Sequence, residues 1–386
     1  MKIAVLHSGD LKNVSPGGIS QYIEKLIKYN LDNEIFVFGT ASIDDNYILM
    51  EVYERTVDGK KYKFIPITFN DRKPLSIYYF IKLLKIKKMF NNYDVIYAQR
   101  MEYAIPFSFC KVRNKVIFAV HGSGKYAKIF WGNFIGNIYS FIENIALKKS
   151  KKVVVLLKRS EYGVPYYKKK MRNLSNKVKY GKVPIDLEYF KKIERTVARE
   201  TVGLDNNEKI VLYFGRLDDN PKRILLIPEI AKQVIKSEEK IKFIIIGDGE
   251  DKSKLLNKIS DYKLDKYFII KNKMNHGDEL CNYISSADIS IILSTFEGIC
   301  MSALESIACG VPVIATDVGD INEYIKDNNN GIIIKNSSSD KFLIDRFSTN
   351  ILNILNNNII LEMNNIFEEY DGKKVIQELN EIFISD

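Results

Sequence analysis

Glu297 and Glu305 stand eight positions apart and bracket the run Gly298-Ile299-Cys300-Met301-Ser302. This stretch follows the apolar, β-branched run 289–293. It reads as the opening of a short helix that stops at Gly310, with Pro312 just beyond. Glu297 then precedes the helix and Glu305 lies in its first turns. The N–H groups around Gly298 to Ser302 would point outward at the helix start. The helix dipole there favours an anion by about 0.3–1 kcal/mol, and by roughly 2 kcal/mol when partly buried. An ionised carboxylate is an acceptor only and suits vicinal hydroxyls. One acid could hold a sugar and the other a ribose, with a diphosphate on the backbone between them. The spacing also fits a plainer reading, in which Glu305 favours the helix start and Glu297 is a loop acid.

The surrounding elements decide whether such residues can meet. The chain alternates short β-branched runs with amphipathic stretches, the rhythm of an α/β protein with parallel sheets. Strands are expected at 2–6, 34–39, 95–98, 116–120 and 153–157, with helices at 19–29 and 74–90. A second unit starts near residue 187, with strands expected at 210–214, 242–246, 267–270, 289–293 and 311–315. The junction falls around Val183-Pro184-Ile185-Asp186, where proline favours an extended chain. The expected division is 1–185, 186–363 and a C-terminal helical segment 364–386. Ligands of open parallel sheets bind beyond the carboxyl ends of the strands. Two such sheets facing each other would form a cleft.

Composition bounds the function class. The 386 residues are 46% hydrophobic and 27% charged, ordinary for a globular chain of two domains. No apolar run is long enough to span a bilayer, and residues 1–6 are too short for a signal-peptide core. Cys110, Cys281, Cys300 and Cys309 form no CxxC pair, and His7, His121 and His276 are scattered. Neither a zinc site nor a disulfide framework is suggested, and a cytoplasmic setting fits. Charge is uneven: residues 1–200 balance to +19 and residues 201–386 to −9, which together make the +10 of the chain. A basic first half suggests an anionic partner, although a lysine-rich solvated surface would look the same.

Residues 287–323, with Phe296-Glu297-Gly298, Leu304-Glu305-Ser306, Cys309-Gly310-Val311-Pro312-Val313 and Val318-Gly319, closely resemble the donor-binding block of family-4 retaining glycosyltransferases. Tyr213-Phe214-Gly215-Arg216-Leu217 with Lys222 resembles the Gly-Arg-Leu…Lys segment of that family, and Gly247-Asp248-Gly249 its strand-end turn. Lys273-Met274-Asn275 lies where the family contacts the base through backbone. Gly17-Gly18 resembles its glycine-rich first loop, and His121-Gly122 the strand-end His-Gly pair. Three departures stand out. Cys300 replaces the usual Gly or Pro, Arg223 follows Lys222 where Gly is common, and Asp320 stands where a second Gly is common.

The resemblance implies an α/β GT-B fold, two Rossmann-like domains facing each other across a cleft, with the C-terminal helix returning to the first domain. It implies transfer with retention from a nucleotide-diphosphate sugar, UDP-linked in preference to GDP-linked. Arg216 and Lys222 would neutralise the diphosphate, an Arg fork beside a Lys point charge. Glu305 would take the ribose, Glu297 the hydroxyls of the donor sugar, and His121 the sugar near the reacting centre, with the Gly17-Gly18 loop closing on the phosphates. No cofactor and no metal is expected. The acceptor is expected to be a glycan, a lipid-linked molecule or an anionic polymer. Lys82, Lys85, Lys87 and Lys88, with Lys168-Lys169-Lys170 and Arg172 near Tyr162, Tyr166 and Tyr167, suggest peripheral contact with an anionic membrane at the inner face of the cell membrane. No nucleic-acid reader motif is present, so that partner is not expected. A non-catalytic sugar-nucleotide-binding subunit is the alternative, against which the retention of all four charged residues argues.

Overall fold

The computed structural model describes all residues except 10, 12–17, 73, 122–123, 159–162, 327, 362, 364–366 and 386, and the backbone alone of 124–131. The chain divides into two units, Met1–Pro184 with Tyr370–Asp386, and Ile185–Glu369.

The first unit runs β1 (Lys2–Leu6), α1 (Gly18–Tyr29), β2 (Glu34–Ala41), β3 (Tyr53–Val57), β4 (Lys60–Phe69), α2 (Leu75–Ile86), β5 (Val95–Ala98), α3 (Met101–Ala104), β6 (Val116–Val120), α4 (Gly124–Lys149), β7 (Lys152–Val155), α5 (Val164–Met171) and β8 (Val178–Tyr180). Its sheet order is β3-β4-β2-β1-β5-β6-β7-β8, parallel throughout except for the β3–β4 hairpin. The central strands β1, β2, β5 and β6 carry near-continuous apolar runs, as in sheets covered on both faces. Phe38, Phe90, Tyr79, Tyr103 and Phe107 fill the core, and the Tyr79 hydroxyl donates to Phe38 O at 2.6 Å.

The second unit runs α6 (Arg195–Val202), β9 (Lys209–Phe214), α7 (Asp219–Lys222), α8 (Ile227–Val234), β10 (Ile241–Ile246), α9 (Lys252–Asp261), β11 (Phe268–Lys271), α10 (Asp278–Ser285), β12 (Ile289–Ile292), α11 (Met301–Ala308), β13 (Val313–Thr316), α12 (Ile321–Tyr324), β14 (Gly331–Ile334) and α13 (Asp340–Leu355). Its sheet is β11-β10-β9-β12-β13-β14, all parallel. This is the doubly wound order 3-2-1-4-5-6, whose direction reverses between β9 and β12.

The last helix, α14 (Gly372–Ile384), belongs to the first unit. It packs the Phe383 ring 5.0 Å from that of Tyr97. The buried Lys152 ammonium donates to Ile382 O at 2.6 Å and to Ser385 Oγ at 2.7 Å, which satisfies the carbonyl end of α14. The helix expected at 74–90 is shorter, because residues 87–92 tighten into a 3₁₀ segment. Four strands, β3, β4, β8 and β14, have no counterpart among those expected from the sequence.

Candidate active site

The switch point of the second unit gathers most of the residues singled out in the sequence. Gly215 follows β9 with φ 153°, a conformation open chiefly to glycine. Across from it, a Cβ on Gly247 would lie 2.0 Å from Gly215 O, and one on Gly249 2.6 Å from the Leu217 carbonyl carbon. The two loops lock together through Leu217 N–H to Asp248 O at 2.9 Å and Asp251 N–H to Leu217 O at 3.0 Å. The glycines at 247 and 249 therefore serve close backbone packing. Asp218 and Asp219 fasten the same region: Asp218 accepts from Glu250 N–H at 3.1 Å, and Asp219 accepts from Leu225 N–H at 3.0 Å.

Arg216 is well exposed and pairs with Asp218 at 2.5 Å. Lys222 lies across the switch point and donates to Glu297 Oε1 at 2.5 Å; both side chains are mostly buried. Glu297 Oε1 also accepts from Ser294 Oγ at 2.6 Å, and Ser294 O accepts from Thr316 Oγ1 at 2.7 Å. The loops after β9 and β12 are joined by Thr295 N–H to Pro221 O at 2.7 Å. Arg223 is the bolt behind this contact. It sits in the left-handed region at φ 51°, which explains why glycine suits this position in the family it resembles. Its guanidinium reaches Asn336 Oδ1 at 2.9 Å, Ser337 O at 2.7 Å and Leu293 O at 3.3 Å.

Beyond Glu297 the backbone of Gly298 is half-buried under Gly319. That glycine has φ 58°, and a Cβ there would come within 2.4 Å of Gly298 O. Ile299 and Met301 are half-buried. Cys300 is buried at the N-cap of α11; its N–H donates to the Tyr324 hydroxyl at 3.0 Å and its Sγ lies 3.3 Å from Ser302 Oγ. Burial, and then the nearby Glu297 charge, push its thiol up to about 12, so it stays protonated. No side chain caps α11 and no acid stands in its first turn, which leaves the dipole end open to an anion.

Glu305 lies deeper than the sequence suggested, in the middle of α11 and 3% exposed. Its Oε1 is 3.5 Å from His276 Nε2, an ion-pair distance but not a hydrogen bond, and that oxygen has no hydrogen-bond partner. His276 follows β11 and stacks edge-on against Phe190 at 5.1 Å. In the sequence His276 is marked only by its place next to Asn275. Asn275 itself is exposed.

In the first unit His121 follows β6. Its Nε2 donates to Gln99 Oε1 at 2.7 Å, and its ring meets Tyr22 edge-on at 5.5 Å. Although His121 keeps some solvent contact, its ring is enclosed. Burial, with the nearby His7 and Arg100, pushes its pKa down to about 3, so the imidazole is neutral. Gly18 opens α1, and a Cβ there would meet no protein atom within 4 Å, so packing does not demand glycine. Gly17 and Gly122 lie outside the described residues. Lys170, expected on a basic surface, instead turns inward onto the buried Glu143, which also accepts from the Tyr167 hydroxyl at 2.8 Å. Tyr162 lies outside the described residues.

Residues 194–373 match the family Glycosyl transferases group 1. The chain is 24% identical over 377 residues to a poly(ribitol-phosphate) alpha-N-acetylglucosaminyltransferase of Staphylococcus aureus, covering 92% of this chain and 70% of that relative. Its fold superposes on sucrose-phosphate synthase from Thermosynechococcus elongatus with a TM-score of 0.75 at 17% identity, over 99% and 96% of the two chains. It superposes on the Anabaena HepE protein in complex with UDP-glucose with a TM-score of 0.69 at 16% identity, over 99% and 98%. The α/β architecture of two Rossmann-like domains is that of GT-B glycosyltransferases. Residues 194–373 are thus a glycosyl transferases group 1 domain, and the chain that carries it is a glycosyltransferase.

Proposed function

We propose that the chain is a retaining glycosyltransferase that moves a hexose or N-acetylhexosamine from a UDP-sugar, with a GDP-sugar as second choice, to a glycan, lipid-linked or anionic polymer acceptor of the cell surface. The observation that carries this reading is Glu305 Oε1, a buried carboxylate oxygen without a donor at the switch point of a doubly wound sheet. An unsatisfied buried acceptor is costly, and a hydroxyl-bearing ligand would repair it. A ribose suits it, with the diphosphate on the open start of α11 and on Arg216 and Lys222. Lys222 and Glu297 neutralise each other at rest; on donor binding Lys222 turns to the phosphates and frees Glu297 for the sugar hydroxyls. His121, neutral at physiological pH, offers the sugar an uncharged polar partner. Catalysis comes from holding the leaving diphosphate and the developing positive charge in place. With two cations on the diphosphate, the scheme requires no metal and no cofactor.

A UDP-linked donor is supported by the HepE complex with UDP-glucose, and an anionic acceptor by the poly(ribitol-phosphate) transferase. Peripheral membrane contact on the cytoplasmic side draws support from α2, whose outward positions Ile77, Tyr78, Ile81 and Leu84 are exposed beside Lys85 and Lys88. Among the described residues no helix is long and apolar enough to cross a membrane. The test of the site is donor hydrolysis and transfer by Glu305→Gln and Lys222→Ala. Near-normal rates in both variants would remove it.

A further inference from the structure

Behind α11, on the opposite side from its open N-terminus, two free thiols face each other. Cys281 on α10 and Cys309, which caps α11, hold their sulfurs 3.6 Å apart. Each residue is at most 2% exposed. Cys309 nevertheless contributes to the wall of a cavity of about 520 Å³ at the amino ends of β9 and β12, which Lys192, Arg195, Ser285 and Asp288 also line. Cys309 therefore borders space that a small polar molecule can enter, with the Cys281 sulfur directly behind it. The sulfurs need to close by roughly 1.5 Å to bond.

We propose that Cys281 and Cys309 form a dithiol that closes reversibly to a disulfide when a peroxide enters this cavity. One sulfur, as thiolate, attacks a peroxide oxygen and becomes a sulfenic acid, and hydroxide leaves. The second sulfur attacks the sulfenic sulfur, the S–S bond forms and the sulfenic oxygen departs as water. The proton lost by the first thiol converts the hydroxide to water, so two thiols and one hydrogen peroxide give one disulfide and two waters. The hydrogen bond between the sulfurs prepares this step: with Cys309 as donor, the Cys281 thiol is pulled down to about 6, which supplies thiolate near neutral pH. Cys300 and Cys110 are built-in controls. Cys300 is enclosed and held protonated, and the half-buried Cys110 donates only to Phe107 O at 3.3 Å. The bridge would join α10 to α11, and the loop that leads into α10 approaches α11 again at His276 and Glu305.

The experiment treats the reduced full-length chain with hydrogen peroxide, alkylates remaining thiols after denaturation, and maps peptides without reduction. It needs no nucleotide or activity, so its outcome is independent of the donor assignment. The expected product is a peptide linking Cys281 to Cys309, released by dithiothreitol and missing in Cys281→Ala and Cys309→Ala, with Cys300 still alkylated. The proposal falls if the wild-type chain keeps both residues as free thiols at a dose that consumes Cys110. It also falls if Cys309 runs on to sulfinic acid while Cys281 remains free.

Discussion

Replacing Lys222 by Ala tests the switch-point site most directly, because Lys222 has a resting partner and a proposed bound partner. At rest its ammonium lies 2.5 Å from Glu297 Oε1, and both side chains are mostly buried. Exposed pairs contribute about 0.2–1 kcal/mol, whereas breaking a fully buried pair costs about 3–5 kcal/mol. Ser294 Oγ continues to donate to the same oxygen at 2.6 Å, which softens the loss. The expected destabilisation of the ligand-free chain is about 1–2 kcal/mol, a fall in Tm of roughly 2–8 °C for a unit of this size. Removing a charge-assisted bond to diphosphate costs a further 1.5–3 kcal/mol of binding, roughly a 10–150-fold rise in the Kd for UDP by calorimetry. A double-mutant cycle with Glu297→Gln separates the two roles. If Lys222 leaves Glu297 for the phosphates, its effect on UDP affinity persists in the Glu297→Gln background, and the coupling between the residues fades at saturating UDP. A UDP Kd within twofold of wild type for Lys222→Ala refutes the reasoning. So does an affinity loss that vanishes in the Glu297→Gln background, since Lys222 would then act only by holding Glu297.

Arg223→Gly relaxes a left-handed backbone but loses three hydrogen bonds, so chemical denaturation is expected to show a net loss of about 1–3 kcal/mol; a stabilised variant would show that the backbone term dominates. Gly319→Ala places a methyl group within 2.4 Å of Gly298 O at φ 58°, and is expected to lower both Tm and UDP affinity, since the Glu297–Gly298 loop must move. His7 and His121 titrate near 4 and 3 in the folded chain, held down chiefly by burial, against about 6.5 when unfolded. The unfolded chain therefore takes up protons first as pH falls. Each histidine removes up to about 1.4 kcal/mol of stability per pH unit below 6.5, down to its folded value. Urea midpoints at pH 7 and pH 5.5 should fall less in the His7→Asn/His121→Asn chain than in wild type; equal slopes would assign the acid sensitivity elsewhere. Flotation with anionic vesicles should carry the wild-type chain at low salt and release it at high salt, and Lys85→Glu/Lys88→Glu should weaken the capture.

Five of the six strands of the second unit were legible because both faces of its sheet are covered: β9 runs apolar from Ile210 to Phe214, and β10 and β12 are broken only by Lys242 and Ser290. The strands that escaped lack that signal for separate reasons. β3 has no fully buried residue, as befits an edge strand paired on one side only. β4 carries Pro66, which argues against a strand, and the structure accommodates it next to a register shift between Gly39 and Thr40. β8 is three residues long, and β14 is four residues following an Asn-rich turn.

Within the site, legibility followed the backbone. Gly215, Gly247 and Gly319 each stand where a Cβ has no room or a positive φ is required, and such demands leave a fixed residue type in the sequence. What spacing could not convey is who holds whom. Lys222 with Glu297, seventy-five positions away, and His276 with Glu305 are contacts created by the crossing of loops at β9, β11 and β12. Arg223 shows the limit in the other direction. As a sequence departure it looked like a flaw in a glycine position. In the fold, its guanidinium takes three acceptors around the loop that presents Glu297, which offsets the backbone strain that glycine would have avoided. A rule about residue type fails where a side chain supplies the stabilisation that the rule assumes must come from the backbone.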